Sequence, residues 1–102
     1  EYFKLGKKGE KRHFIAVALE RADNQADPEG RGSIVPVFEI IDLEASNNDD
    51  RLQHVGSFLA PLSESPEGLL FVKDSKSSGT MFISNERSRT LDTFSFGLSD
   101  LA

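Results

Sequence analysis

Hydrophobic residues along this chain fall in short runs, separated by segments rich in Gly, Pro, Asn, Asp and Ser. Short apolar runs between turn-forming residues are typical of β-strands. The pattern predicts strands at residues 2–5, 13–21, 35–43, 52–59, 68–72, 80–86 and 91–97, with polar turns or loops between them. Residues 13–21 also include helix-forming Ala and Leu, but their β-branched neighbours and turn-rich flanks favour a strand. Pro36 is expected near the start of its strand or on a sheet edge, because it cannot donate a backbone hydrogen bond.

The second half of the chain repeats the order of the first. Val17–Arg21 (VALER) aligns with Ile83–Arg87 (ISNER), 66 residues later, and Phe38–Ile40 aligns with Phe94–Phe96, 56 residues later. The longer loop 23–33 of the first copy accounts for the difference between the two offsets. The repeated unit is therefore an apolar strand ending in Glu-Arg, a variable loop, and a strand with Phe-x-Ile or Phe-x-Phe.

A unit of four short antiparallel strands is typical of a β-propeller blade. We predict an all-β chain forming about two four-stranded blades, in one β-rich segment, 1–102. Residues 1–12 form a basic arm and strand end, 13–59 supply strands of the first blade, and 60–102 supply strands of the second. Because a closed ring needs about four to eight blades, we expect a fragment of a larger ring, whose partners are the remainder of the propeller or other copies of the chain. A small standalone sandwich with one closed core is the alternative.

Charge and composition exclude several classes of function. The 102 residues carry a net charge of −5 and no cysteine. A nucleic-acid partner is not expected, because such proteins present a basic surface to the phosphates. Without cysteine there is no disulfide, thiolate catalysis or Cys-ligated zinc. No apolar run approaches the roughly 20 residues that a transmembrane helix needs. The basic residues of the arm are interpreted as a solvated hairpin tip.

Polar residues collect where the predicted blades turn. In a four-stranded meander, the start of the first strand and the end of the second lie on one face. Closing the hairpin around residues 73–79 pairs Val72 with Thr80, which places Glu67 opposite Asn85 or Glu86. The candidate site on that face comprises six residues: Glu20, Arg21, Glu67, Asn85, Glu86 and Arg87. They could lock the blade corners by hydrogen bonds and ion pairs, bind Ca²⁺ as a cofactor, or form part of a carboxylate–metal site for phosphate-ester hydrolysis.

Other chemistry-bearing residues give weaker signals. Asp23, Asp27 and Glu29 are acidic but lack the spacing of a calcium loop. His13 and His54 are solitary and have no metal-ligand spacing. The chain also lacks a G-x-S-x-G elbow. The sequence therefore names no reaction and no ligand.

Four stretches resemble the choice-of-anchor I group, β-propeller domains that are often labelled alkaline-phosphatase-like or cell-surface-glycoprotein-like. They are FIAVALER, VPVFEIIDLEA, SPEGLLFV and MFISNERSRTLDTFSF, within residues 13–97. The residues that match the family pattern are Glu20-Arg21, Phe38–Asp42, Pro66–Phe71 and Asn85-Glu86. Loop 23–33 is longer than is usual in the family.

The resemblance implies an extracellular, periplasmic or cell-surface protein, with this chain as the C-terminal segment of the family domain. We expect a non-catalytic propeller module that acts as a binding or structural scaffold. The alternative is a metal-dependent phosphoesterase whose site lies only partly in this segment.

Overall fold

The computed structural model describes residues 1–18, 33–60, 66–86 and 89–102. Within these ranges the chain is all-β, apart from one helical turn, α1 (Asn48–Arg51), and a 3₁₀ turn at Leu98–Asp100. No helix in the described ranges is long and apolar enough to cross a membrane. The strands are β1 (Tyr2–Leu5), β2 (Arg12–Ala16), β3 (Ser33–Ile40), β4 (Leu52–Ala60), β5 (Pro66–Lys73), β6 (Ser78–Asn85) and β7 (Thr90–Gly97).

The strands form two antiparallel sheets in which neighbours along the chain are neighbours in space. The first sheet has the order β1-β2-β3-β4 and the second the order β5-β6-β7. The predicted all-β class and the predicted strand succession are therefore confirmed. The predicted pairing of Val72 with Thr80 is also confirmed.

The predicted strand 13–21 is shorter in the structure, because β2 ends at Ala16; residues 19–21 lie outside the described ranges. Pro36 gives the physical reason. It lies in the middle of the interior strand β3, contrary to the expectation of a strand start or an edge. Its carbonyl accepts a hydrogen bond from Val17 N, so its nitrogen also faces β2. Since that nitrogen carries no hydrogen, the β2–β3 pairing stops at Ala16 and Val37.

The predicted strand 35–43 is also too long, because β3 ends at Ile40. The backbone N–H groups of Ile41 and Asp42 both donate to the carbonyl of Arg51, which closes the connection to β4. The polar turn predicted between strands 35–43 and 52–59 contains the start of α1, where the Asn47 side chain accepts a hydrogen bond from Asp50 N at 3.0 Å. Asn is a favoured N-cap residue because it satisfies a free amide of the first helical turn.

The hydrophobic core lies between the two sheets. Aromatic rings join them: Phe3 stacks on Phe71 with centroids 4.5 Å apart, and Phe58 contacts Phe94 at 5.0 Å and Phe96 at 5.1 Å. Strand alternation directs every second residue inward. The buried apolar residues are Phe3, Leu5, Phe14, Ala16, Val35, Val37, Val55, Phe58, Met81, Ile83 and Phe96.

The sequence repeat has a counterpart in the strand register. The first offset relates Ile15 to Met81, and the second relates Phe38 to Phe94. Ile15 pairs directly with Phe38 in the first sheet, and Met81 pairs directly with Phe94 in the second. The two offsets were found independently in the sequence. Together they relate a pair of directly opposed residues in the first sheet to a pair of directly opposed residues in the second.

One member of each equivalent pair faces the shared core and the other faces away from it. Ile15 and Phe38 are on the outer face of the first sheet, since the neighbouring Phe14 and Val37 point inward and are fully buried. Met81 is fully buried on the inner face of the second sheet, and Phe94 packs against the core. The two sheets thus present opposite faces of the repeated unit to each other.

An ion pair closes one end of the core. Arg12 donates from Nε to Glu39 Oε2 at 2.9 Å and from Nη2 to Oε1 at 2.6 Å, so the pairing is bidentate. The guanidinium lies 5.3 Å from the Phe14 ring centroid and also donates to the backbone oxygen of Ala102. The hydrogen bonds from Arg12 lower the pKa of Glu39, with partial burial opposing this shift and the positive charge reinforcing it.

Glu39→Gln should therefore destabilise the fold in a pH-dependent way. We expect a loss of about 1 kcal/mol in the free energy of unfolding at pH 7, allowing for solvent screening of this partly exposed pair. Because the folded-state pKa of Glu39 lies below its ordinary value of 4.5, the contribution is present above that pH and is lost as the pH falls further. Urea denaturation across this range measures the difference.

Glu44→Gln, at an exposed carboxylate, is the control and should change little at any pH. A Glu39→Gln penalty that stays constant down to acid pH would contradict a contribution from the ionised carboxylate.

Candidate functional site

The polar end of the second sheet brings three strand ends together. Pro66, at the start of β5, pairs with Asn85, at the end of β6, and Asn85 pairs with Thr90, at the start of β7. This is the face on which the candidate residues were expected to collect. The antiparallel meander places these ends side by side because each strand reverses the direction of the one before it.

A β-bulge sets the position of Glu67. Pro66 pairs with Asn85 and Gly68 with Ser84, so Glu67 is the extra residue. Ser84 Oγ accepts a hydrogen bond from Gly68 N at 3.0 Å, which stabilises the irregular backbone. A Cβ atom at residue 68 would lie 2.5 Å from Ser84 Oγ, so a larger residue there would displace this hydroxyl from its hydrogen bond. Bulges commonly redirect a side chain next to a functional site.

Asn85 ties the end of β6 to the start of β7. Its Nδ2 donates to Asp92 Oδ2 at 2.9 Å and to Thr90 Oγ1 at 3.1 Å. Asn85 and Asp92 are both buried, with 3% and 6% of their surfaces exposed. A carboxylate held there needs a donor, because burial without one is costly. The two side chains therefore act as a polar lock at this end of the core.

The amide oxygen of Asn85 is the anomaly of this end. Asn85 Oδ1 is buried and has no hydrogen-bond partner among the described residues. A buried acceptor without a partner costs about 1–3 kcal/mol. Since both Nδ2 hydrogens are used, a flip of the amide would place an acceptor against the Asp92 carboxylate and would be worse. The orientation of the amide is thus fixed, with Oδ1 as a buried acceptor that has no partner among the described residues.

A groove beside Glu67 reaches the first sheet. It has a volume of about 400 Å³ and is lined by Glu67 and Leu69 on one side and by Glu1 and residues 15–18 on the other. Glu1 spans the two sheets, since its backbone nitrogen donates to Ala16 O and its carboxylate accepts from Phe71 N at 2.7 Å. The groove therefore has carboxylates on both walls.

The structure brings only part of the predicted site together. Asn85 is buried at the end of β6, while Glu67 and Glu86 are exposed near it. The predicted Glu20, Arg21 and Arg87 lie outside the described residues. Asp92 was missed by the sequence analysis, although a signal existed: it precedes Phe94 and Phe96 at two-residue spacing, and so shares their inward face.

The remaining candidates that the structure describes do not form a metal centre. In the described parts of the chain, no three His, Asp or Glu side chains are placed to hold a metal ion together. His13 Nδ1 lies 2.6 Å from Tyr2 Oη, and His54 Nε2 lies 3.0 Å from Ser57 Oγ, both on the exposed outer face of the first sheet. Asp23, Asp27 and Glu29 fall outside the described residues.

Comparison with family models, with curated proteins and with solved structures found no significant match for this chain.

Asn85→Asp should disrupt the lock at the end of β6. It places a second carboxylate against Asp92, so we expect a loss of about 2–3 kcal/mol in the free energy of unfolding near pH 7.5. Urea denaturation at this pH measures the loss.

The double variant Asn85→Asp with Asp92→Asn is the matched control. It restores one carboxylate and one amide in exchanged positions, and should recover most of the lost stability. An Asn85→Asp variant as stable as the wild type near pH 7.5 would rule out the lock.

Proposed function

We propose that this chain is a segment of a β-propeller, with β1–β4 as one blade and β5–β7 as the first three strands of the next, and that it serves as a non-catalytic scaffold. The observation that carries the proposal is that, of two repeat-equivalent residues, one faces the shared core and the other faces away from it: Phe94 packs in the core, and Phe38 is on an outer face. Successive blades in a ring stack in this way, with one face of each blade against the opposite face of the next. A closed sandwich of two duplicated sheets would turn equivalent residues toward each other.

Strand direction supports the same relation. Glu1 contacts Phe71, and Gly6 N donates to Lys76 O at 2.6 Å. Both contacts join residues 70 positions apart, so β1 and β5 run in the same direction. Both sheets are meanders, so each strand of the first sheet is then parallel to the corresponding strand of the second. Corresponding strands of neighbouring propeller blades have the same relation.

The outer faces of both sheets support stacking beyond this pair. Leu70 and Leu91 on the second sheet are 56% and 55% exposed, and Tyr2 and Leu59 on the first are 53% and 43% exposed. Soluble proteins rarely leave two sheet faces apolar unless something covers them. Blades have apolar residues on both faces because each packs between two neighbours.

Two sequence features extend the proposal. The bulged Pro66-Glu67-Gly68 element and the buried Asn85 coincide with the parts that resemble the choice-of-anchor I group. We therefore propose membership of that group and an extracellular, periplasmic or cell-surface location. A structural role at the polar end is favoured by the Asn85–Asp92 lock, which joins two strands.

Phe94→Ala and Phe38→Ala test the stacking as a matched pair. Phe94 packs on Phe58 in the core, so its truncation should lower the free energy of unfolding by about 2–4 kcal/mol. Among the described aromatic rings, Phe38 contacts only that of the exposed His54, so its truncation should cost less than about 1 kcal/mol. Urea denaturation at low protein concentration gives both values.

Equal losses for the two variants would mean that both rings share one closed core. That result would overturn the propeller proposal.

Hydrolysis assays test the non-catalytic role. We expect no metal-stimulated hydrolysis of p-nitrophenyl phosphate above background, and no change in Glu67→Gln or Glu86→Gln. Circular dichroism verifies that the variants fold, and Glu44→Gln is the control. Metal-dependent hydrolysis that is lost in either variant, but kept in the control, would instead support the phosphoesterase.

A further inference from the structure

The strand positions on the outer face of the second sheet carry no charged side chain. They are apolar, small or hydroxylated: Gly68, Leu70, Val72, Ser78, Thr80, Phe82, Ser84, Leu91, Thr93, Ser95 and Gly97. The one carboxylate that reaches this part of the described surface is at its edge, where Asp74 Oδ2 accepts a hydrogen bond from Thr80 Oγ1. In a chain with 28% charged residues this is a marked departure. A depression of about 380 Å³ lies where Gly68 lacks a side chain, between Leu70, Phe82 and Leu91. A partner recognised through charge does not fit this face.

We propose that this face binds the outer face of the first sheet of a second copy of the chain, in a head-to-tail arrangement. The inference rests on the stacking relation in the proposed function and adds the partner. The first-sheet outer row, Tyr2–Ile15–Phe38, consists of directly paired residues across three strands. The second-sheet outer row, Leu70–Phe82–Thr93, is built in the same way.

The chain's own interface is the template for this contact. By register, Tyr2, Ile15 and Phe38 are equivalent to Phe71, Met81 and Phe94, the row with which the second sheet packs on the first. In the second-sheet outer row, Phe82 and Thr93 are equivalent to Ala16 and Val37, which pair on the inner face of the first sheet. A second copy would therefore repeat an interface that already exists within one chain.

The two outer rows are chemically alike. The first-sheet outer row is also uncharged and partly exposed, with Tyr2 at 53%. Lys4 and His13 form the next outward-facing pair along β1 and β2, on the side of the row nearer to the β1–β2 turn. The contact is therefore expected to be driven by apolar burial, with little dependence on salt.

A head-to-tail contact uses two different surfaces, which predicts a specific pattern of association. Each copy keeps one unused face after binding, so assemblies grow beyond dimers. A contact between two identical faces would stop at the dimer.

Sedimentation velocity across a concentration series tests the proposal, with Leu70→Lys blocking one face and Phe38→Lys the other. The wild type should associate beyond a dimer, and each variant alone should associate at least about tenfold more weakly. Mixing the two variants should give a 1:1 dimer and nothing larger, since each retains one functional face. Ser99→Lys, at an exposed residue of the 3₁₀ turn, is the control, and circular dichroism verifies folding.

Three results would overturn the inference: a wild type that stays monomeric at every concentration, a Phe38→Lys variant that still forms a dimer alone, or a mixture that does not associate. A monomeric wild type with unequal losses for Phe94→Ala and Phe38→Ala would overturn self-association and leave the propeller proposal standing. Equal losses would overturn the propeller proposal itself.

Discussion

Phe3 is the side chain on which the packing of the two sheets depends. Its ring stacks on Phe14 within the first sheet, with centroids 5.3 Å apart, and on Phe71 of the second sheet at 4.5 Å. Phe96 meets it edge-on at 5.7 Å. Aromatic clusters of this kind bury large areas and also prefer defined ring angles. Because β1 is held against β5 at this point, the direction and register of both sheets relative to each other are set there.

The two ends of this core are closed by different polar interactions. At one end the Arg12–Glu39 pair is bidentate and only partly buried, so its charges remain hydrated. At the other end Asp92 is buried and its described side-chain partner is the neutral amide of Asn85. Burying a carboxylate against an amide is less favourable than burying it against a cation. The Asn85 end is therefore the less favourable one, and Asn85 Oδ1 there has no hydrogen-bond partner among the described residues.

Much of the fold follows from local sequence, because strand alternation and turn residues are local signals. The runs around Phe58, Leu70 and Phe94 were recognised as strands on that basis. Two features required long-range information. Pro36 ends the pairing of a strand that is distant in sequence, and the Val55 bulge in β4 depends on its partner strand. At the candidate site, the closeness of Glu67 and Asn85 followed from hairpin closure, whereas the pairing of Asn85 with Asp92 required knowing which face was buried.

The repeated unit has apolar residues on both faces of its sheet, and packing against one other sheet covers only one of these faces. Each unit has two apolar faces, and the interface between the two sheets covers one face of each. If equivalent residues had faced each other, as in a two-fold sandwich, the apolar positions of both units would be buried and the outer faces could be charged. Instead, Phe38 is outside and Phe94 is inside, while Phe82 is outside and its equivalent Ala16 is inside. A stack of this kind has no internal reason to end after two members. In the proposed propeller further blades would cover the two outer faces, and in the proposed self-association other copies of the chain would cover them.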